Sequence, residues 1–138
     1  KKMFICCLLF VCFSCSKQTL ELNSIFMPEN NNTNYYMLGP DVSFHKSYSV
    51  TMNNVEYSVA VSNQNRIIFV STRDSSFTVG KLKVGDEISK EKFKKYHSIP
   101  GWGTCVPISS GWYAGYYNES ESNENVKIQF FIKCNFKR

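Results

Sequence analysis

Histidine is scarce in this 138-residue chain: His45 and His97 are the only two. Neither stands in a His-Glu-x-x-His or comparable ligand spacing. A Ser or Cys nucleophile needs a base and an orienting acid within reach. The chain could bring His97 near Ser109 or Asp74, but no spacing asks for it. The sequence therefore offers no catalytic residue, no metal site and no cofactor. Arginine is equally thin, with Arg66, Arg73 and Arg138 dispersed. Without a basic cluster there is no electrostatic footprint for nucleic acid. The densest basic spot, Lys92, Lys94 and Lys95, reads as a solvated face. Glycine numbers seven, and none forms a phosphate-cradling loop, because Gly101-Trp102-Gly103 is short and precedes a strand. No apolar run approaches the ~20 residues of a membrane-spanning helix.

The longest apolar run is MFICCLLFVCF, residues 3–13, preceded by Lys1 and Lys2 and stopped by Ser14, Ser16 and Lys17. A basic start followed by a short apolar segment is the pattern of a secretory signal. The Cys12-Phe13-Ser14-Cys15 stretch is then no redox pair, since Cys12 is still inside the run and no βαβ pattern surrounds it. The segment resembles the lipobox of bacterial lipoproteins, in which the cysteine after a small residue is acylated and becomes the new N-terminus. Here that cysteine is Cys15, with Ser14 before it. The box is a loose one: Cys12 stands where the family favours Leu, and Phe13 is bulky. Secretion with cleavage nearby, and an uncleaved anchor, are the alternatives. The resemblance implies residues 1–14 as signal peptide, palmitate-type lipid on Cys15 and attachment to the cell-envelope membrane, on its periplasmic or surface side.

Removal of residues 1–14 leaves 124 residues, enough for one domain with a modest core. Fourteen of the sixteen basic residues and all eleven acidic ones remain, a net charge near +3. With Cys15 acylated, Cys105 and Cys134 are left as a candidate disulfide for an oxidising compartment. Such a bridge would stabilise by ~3–4 kcal/mol on the chain-entropy model. The alternative is a pair of buried free thiols.

Residues 15–34 read as a tether, with one apolar knot at Ile25-Phe26-Met27, and the ordered domain is expected from about Tyr35 to residue 138. In SYSVTMNNVEYSVAVS, residues 47–62, apolar and polar residues alternate on both sides of Asn53-Asn54. Period two is what a half-buried strand requires, and Asn tolerates the positive φ of a two-residue hairpin turn. The register predicted is Met52 with Val55, Val50 with Tyr57 and Tyr48 with Val59. Residues 66–72, RIIFVST, read as a central strand, apolar on both faces. Residues 84–97 predict the one helix, capped by Ser89, with Ile88 and Phe93 at staple spacing. Residues 104–109 and 111–117 predict a second hairpin turning at Ser110-Gly111. The last strand, 126–134, places Val126, Ile128, Phe130, Ile132 and Cys134 on one face. The fold class expected is mainly β: an antiparallel sheet curled into a partial barrel or over one short helix.

Three segments, MLGPDVSF (37–44), FVSTRDSSFTVGKLKVGDEI (69–88) and GWGTCVPISSGWYAGYY (101–117), resemble small uncharacterised lipoproteins of spirochaetes. In that family a strand leads into Thr-x-Asp-x-x-Phe, here Thr72, Asp74 and Phe77, then a Gly-Asp turn, here Gly85-Asp86, and a short helix. A Gly-Trp-Gly strand and a Ser-Gly-Trp-x-Ala strand follow, here Gly101–Gly103 and Ser110–Ala114. The resemblance spans about two-thirds of the mature chain. It implies a β-rich envelope lipoprotein and transfers no catalytic residue. The family carries an aromatic where Cys105 falls, so a disulfide would be peculiar to this chain.

The richest site candidate is the aromatic group Trp102, Trp112, Tyr113, Tyr116 and Tyr117. On one strand Trp112, Ala114 and Tyr116 share a face, and Tyr113, Gly115 and Tyr117 share the other. One set would fill the core and the other could form a platform for a sugar ring or a protein partner; alternatively both sets are packing. Two functions follow as expectations. The first is a lipid-anchored, non-enzymatic module binding an envelope protein or glycan. The second is an inhibitor of an extracellular or periplasmic enzyme.

Overall fold

The computed structural model describes residues 19–92, 95–117 and 124–136. Twelve strands follow in order: β1 (Asn34–Leu38), β2 (Phe44–Met52), β3 (Val55–Val61), β4 (Ile67–Thr72), β5 (Thr78–Val79), β6 (Leu82–Lys83), β7 (Glu87–Ser89), β8 (His97–Ile99), β9 (Gly103–Ser109), β10 (Trp112–Tyr116), β11 (Asn125–Lys127) and β12 (Phe130–Cys134). Eight of them form one antiparallel sheet in the order β1-β2-β3-β4-β12-β10-β9-β8, curled into a half-barrel. The mainly β expectation holds, with β4 at the centre of the sheet.

The β2–β3 hairpin has the predicted register: Met52 pairs with Val55, Val50 with Tyr57 and Tyr48 with Val59. Asn53 and Asn54 both take positive φ, 52° and 62°, as a type I′ turn demands. The β9–β10 hairpin turns through Ser110 and Gly111, also both at positive φ.

Both faces of the sheet are covered. Ala60, Phe69, Cys105, Phe130, Ile132 and Cys134 pack with Ile99 and Trp102 on the inner face. Trp102 closes this side. Its ring meets Phe69 and Phe130 edge-on, with centroids 5.8 and 5.2 Å away, and its Nε1–H donates to the Leu38 carbonyl at 2.7 Å. Leu38 ends β1 and Trp102 lies in the β8–β9 turn, so this bond joins the two edges of the sheet. Gly101 permits the approach: it has a φ of 78°, and a Cβ there would run into the Leu38 side chain.

On the outer face Tyr48, Val50, Tyr57, Val59 and Val70 pack under Leu20 and Phe26. A second group, Val106, Ala114 and Phe131, packs under Ile88, Val126 and Ile128. Phe77 belongs to both groups, meeting Tyr57, Trp112 and Phe131.

Three expectations need correction. The helix over 84–97 is not formed among the described residues. Glu87–Ser89 is strand β7, paired with β11, and Lys90–Lys92 is a single 3-10 turn. The Lys90 N–H is taken by the Glu124 carbonyl at 2.9 Å, and Ile88 is buried against the sheet. Partners far along the chain override the local cap signal. Phe93, the expected staple residue, lies outside the described residues.

The last strand is also broken. The Ile128 N–H and carbonyl bond to Asp86 and Gly85 while the Gln129 N–H returns to Gly115. The chain changes sheets there, so Val126 and Ile128 pack on the outer face and Phe130, Ile132 and Cys134 on the inner.

Finally, the packed chain begins well before Tyr35. Phe26 is 1% exposed and packs on Tyr48 with ring centroids 5.1 Å apart and planes tilted by 40°. Asn23 and Phe26 donate backbone hydrogen bonds to Ile67 and Asn65, and Ile67 donates to Ser24. Residues 20–26 form a strap bonded across the start of β4, and the apolar knot is its anchor.

Candidate functional site

The strap does more than cover core. Between it and the outer face of the sheet runs a groove of about 610 Å³. Val50, Thr51 and Met52 of β2, Tyr57 of β3, Trp112 of β10 and Lys133 of β12 line one side. Thr19, Leu20, Glu21, Glu29, Asn31, Asn32 and Thr33 line the other.

Each wall is held locally. Lys133 Nζ reaches Glu21 Oε2 at 2.7 Å, tying the strap to the middle of the sheet. Glu21 is 64% exposed, so the pair contributes only about 0–1 kcal/mol, but it fixes position. The Glu29 N–H donates to Asn32 Oδ1 at 2.8 Å, and Asn32 Nδ2 donates to the Ser49 carbonyl at 3.3 Å. The Ser49 N–H in turn donates to the Thr33 carbonyl at 2.9 Å. Segment 29–33 is thereby sewn along β2.

The floor is aromatic. Trp112 is half-buried and leans on Phe77 with centroids 4.7 Å apart; Phe77 meets the Tyr57 ring edge-on at 5.8 Å. Burial, with the Asp74 charge second, raises the Tyr57 phenol above its ordinary value. Its hydroxyl stays protonated at neutral pH and can both donate and accept. The groove thus joins flat apolar surface to a rim of amides and hydroxyls.

The five aromatics singled out in the sequence do not make one platform. Trp102 and Tyr116 are buried. Tyr113 faces the inner side and meets Phe136 and His97 at 4.6 and 5.6 Å. Tyr117, 37% exposed, stands at the end of β10, where its hydroxyl accepts from Arg73 Nη2 at 2.5 Å and its N–H donates to Gln129 Oε1 at 2.8 Å. Only Trp112 enters the groove. Its floor partner, Tyr57, carries no signal beyond its place in an alternating strand, and the strap reads as a linker, so sequence reasoning misses both.

Cys105 and Cys134 are free and buried. They lie on β9 and β12, which flank β10. Strands two apart are separated by roughly 10 Å, beyond the ~7 Å limit for Cα atoms joined by a disulfide. The expected bridge is therefore absent. Burial pushes both thiols up to about 12, with the neighbouring Cys134 adding to the shift of Cys105.

The histidines sit apart from the groove lining. His45 Nε2 lies 2.8 and 2.9 Å from the two Asp41 oxygens. His97 stacks flat on Phe136 at 4.1 Å. A second cavity of about 560 Å³ is lined by Asp41, Phe69, Tyr96, His97, Cys134 and Phe136 among others. Cys15 lies outside the described residues. Among those described, no helix is long and apolar enough to cross a membrane.

No protein-family model matches the chain, and neither the curated proteins nor the solved structures contain a significant match to it.

Proposed function

We propose that this protein is an exported envelope lipoprotein, held to a membrane by lipid on Cys15, and that it works as a non-enzymatic binding module. The pattern of residues 1–17 supports the address. The groove between strap and sheet carries the binding reading: a cleft of about 610 Å³ with an aromatic floor and a polar rim has the size and lining of a ligand site.

The address and the task are tested separately. Mass spectrometry of the mature N-terminus should find Cys15 acylated and residues 1–14 gone; an unmodified Cys15 or a retained leader refutes lipidation. A photo-crosslinking residue in place of Asn31, on the exposed groove rim, should capture an envelope component in intact cells. Capture that persists undiminished in a Trp112→Ala background, or no capture at all, would count against the groove as the site.

A further inference from the structure

We infer that the groove accepts a short, uncharged oligosaccharide. This deepens the binding-module reading above and rests on it, though not on lipidation.

The argument is one of chemical matching. A pyranose ring has an apolar C–H face and a girdle of hydroxyls, each able to donate and accept. Flat amphipathic aromatics suit the first, and Trp112, half-buried over Phe77, presents such a surface beside Tyr57. Side chains that both donate and accept suit the second. The lining supplies them as the Thr19 and Tyr57 hydroxyls and the Asn31 amide. Tyr57 stands on the sheet and Thr19 and Asn31 on the opposite side, so a ring lying on Trp112 can be bonded from either side.

Charge selects among glycans. Among the described residues Lys133 is the one cation in the lining, and Glu21 already holds it at 2.7 Å. Glu29 then leaves the groove with excess negative charge. A sulfated or uronic-acid polymer would meet repulsion there, whereas a neutral glycan meets none.

Protein is the less suitable occupant. The groove walls are joined by the Lys133–Glu21 pair and sewn along β2 by the Asn32 and Thr33 bonds. Residues 33–38 pair with β2 as far as Ser49, and β3 pairs with its other side, so an added peptide strand would have only the last three residues of β2 to extend.

Titration calorimetry of the full-length protein in detergent tests this with defined probes: neutral chito- and gluco-oligosaccharides against heparin fragments. Saturable heat is expected from a neutral oligosaccharide. At least tenfold weaker binding is expected in Trp112→Ala, and in Asn31→Trp, which crowds the groove from an exposed position and spares the core. Binding of heparin alone, or neutral binding unchanged in Asn31→Trp, overturns the inference. If no glycan binds while the position-31 crosslink captures a protein, the glycan class falls and the binding module stands. If both experiments are blank, both readings fall.

Discussion

The ring of Phe130 occupies the space in which Gly115 would carry a side chain. The two are cross-strand partners on β12 and β10, and a Cβ on Gly115 would lie inside the Phe130 ring. The inner face closes because one strand gives up its side chain to let an aromatic lie on its backbone. Gly115→Ala should therefore cost about 1–3 kcal/mol, the usual penalty of overpacking. Urea denaturation measures it. The double variant Gly115→Ala/Phe130→Leu should recover part of the loss, and purely additive losses would show that the two sites are not coupled.

Trp102 joins the sheet edges through one hydrogen bond and packs against two rings of the central strands, Phe69 and Phe130. Trp102→Phe retains most of the packing but leaves the Leu38 carbonyl without its donor, a loss of about 1–3 kcal/mol. Hydrogen exchange should quicken along β1 before it does in β3 or β4. Uniform acceleration would instead mean a global loss with no edge effect.

The strap is a structural element, and Phe26→Ala tests it. Removal of this buried ring should destabilise by about 3–5 kcal/mol. Thermal unfolding unchanged in this variant would return residues 20–26 to the status of a linker.

Acid should weaken the fold in part through Asp74. Its carboxylate accepts from the Glu56 N–H at 3.0 Å and from the Ser76 N–H at 2.8 Å, and these bonds hold it below the ordinary carboxylate value. A group depressed in the folded state stabilises above its unfolded pKa of about 3.9 and loses that contribution as pH falls through the lower folded value. Asp74→Ala should thus be less stable than the wild type at pH 7, and the gap should narrow below about pH 4. A gap constant down to pH 2 would exclude the charge as its origin.

Cys105 and Cys134 should resist alkylation. With thiols near pKa 12, the thiolate fraction at pH 8 is minute, and burial limits access. Peptide mapping without reductant should find the two unlinked, and iodoacetamide should label them only after denaturation. A linked peptide would overturn the strand arrangement that separates them.

Legibility in the sequence followed the range of the interactions. The β2–β3 hairpin could be read to the residue because its register depends on neighbours within sixteen positions and on two asparagines at the turn. A continuous apolar run, Ile67 to Val70, carried β4, and Ser110-Gly111 marked the second hairpin. The helix over 84–97 failed because its determinants were weak and local, while Glu87–Ser89 answers to Asn125–Lys127. The strap failed for a related reason: Pro28 and the asparagine run signal a break in structure, but nothing local shows that Phe26 finds Tyr48. Trp112 was singled out in the sequence only as one of five candidate aromatics. Its setting was not legible, because the groove has one wall from residues 19–33 and the other from β2, β3, β10 and β12.

The bond from Trp102 to Leu38 has a consequence for how the protein keeps company with copies of itself. An open sheet exposes rows of unpaired N–H and C=O groups, and proteins crowded side by side can add strands to one another there. In this half-barrel the outermost strands are short, five residues in β1 and three in β8, and one indole draws them toward each other. A domain held at a membrane, as proposed for this one, meets its neighbours far more often than a free one does. Drawing the edges together with a single side chain leaves little for a neighbouring strand to template on.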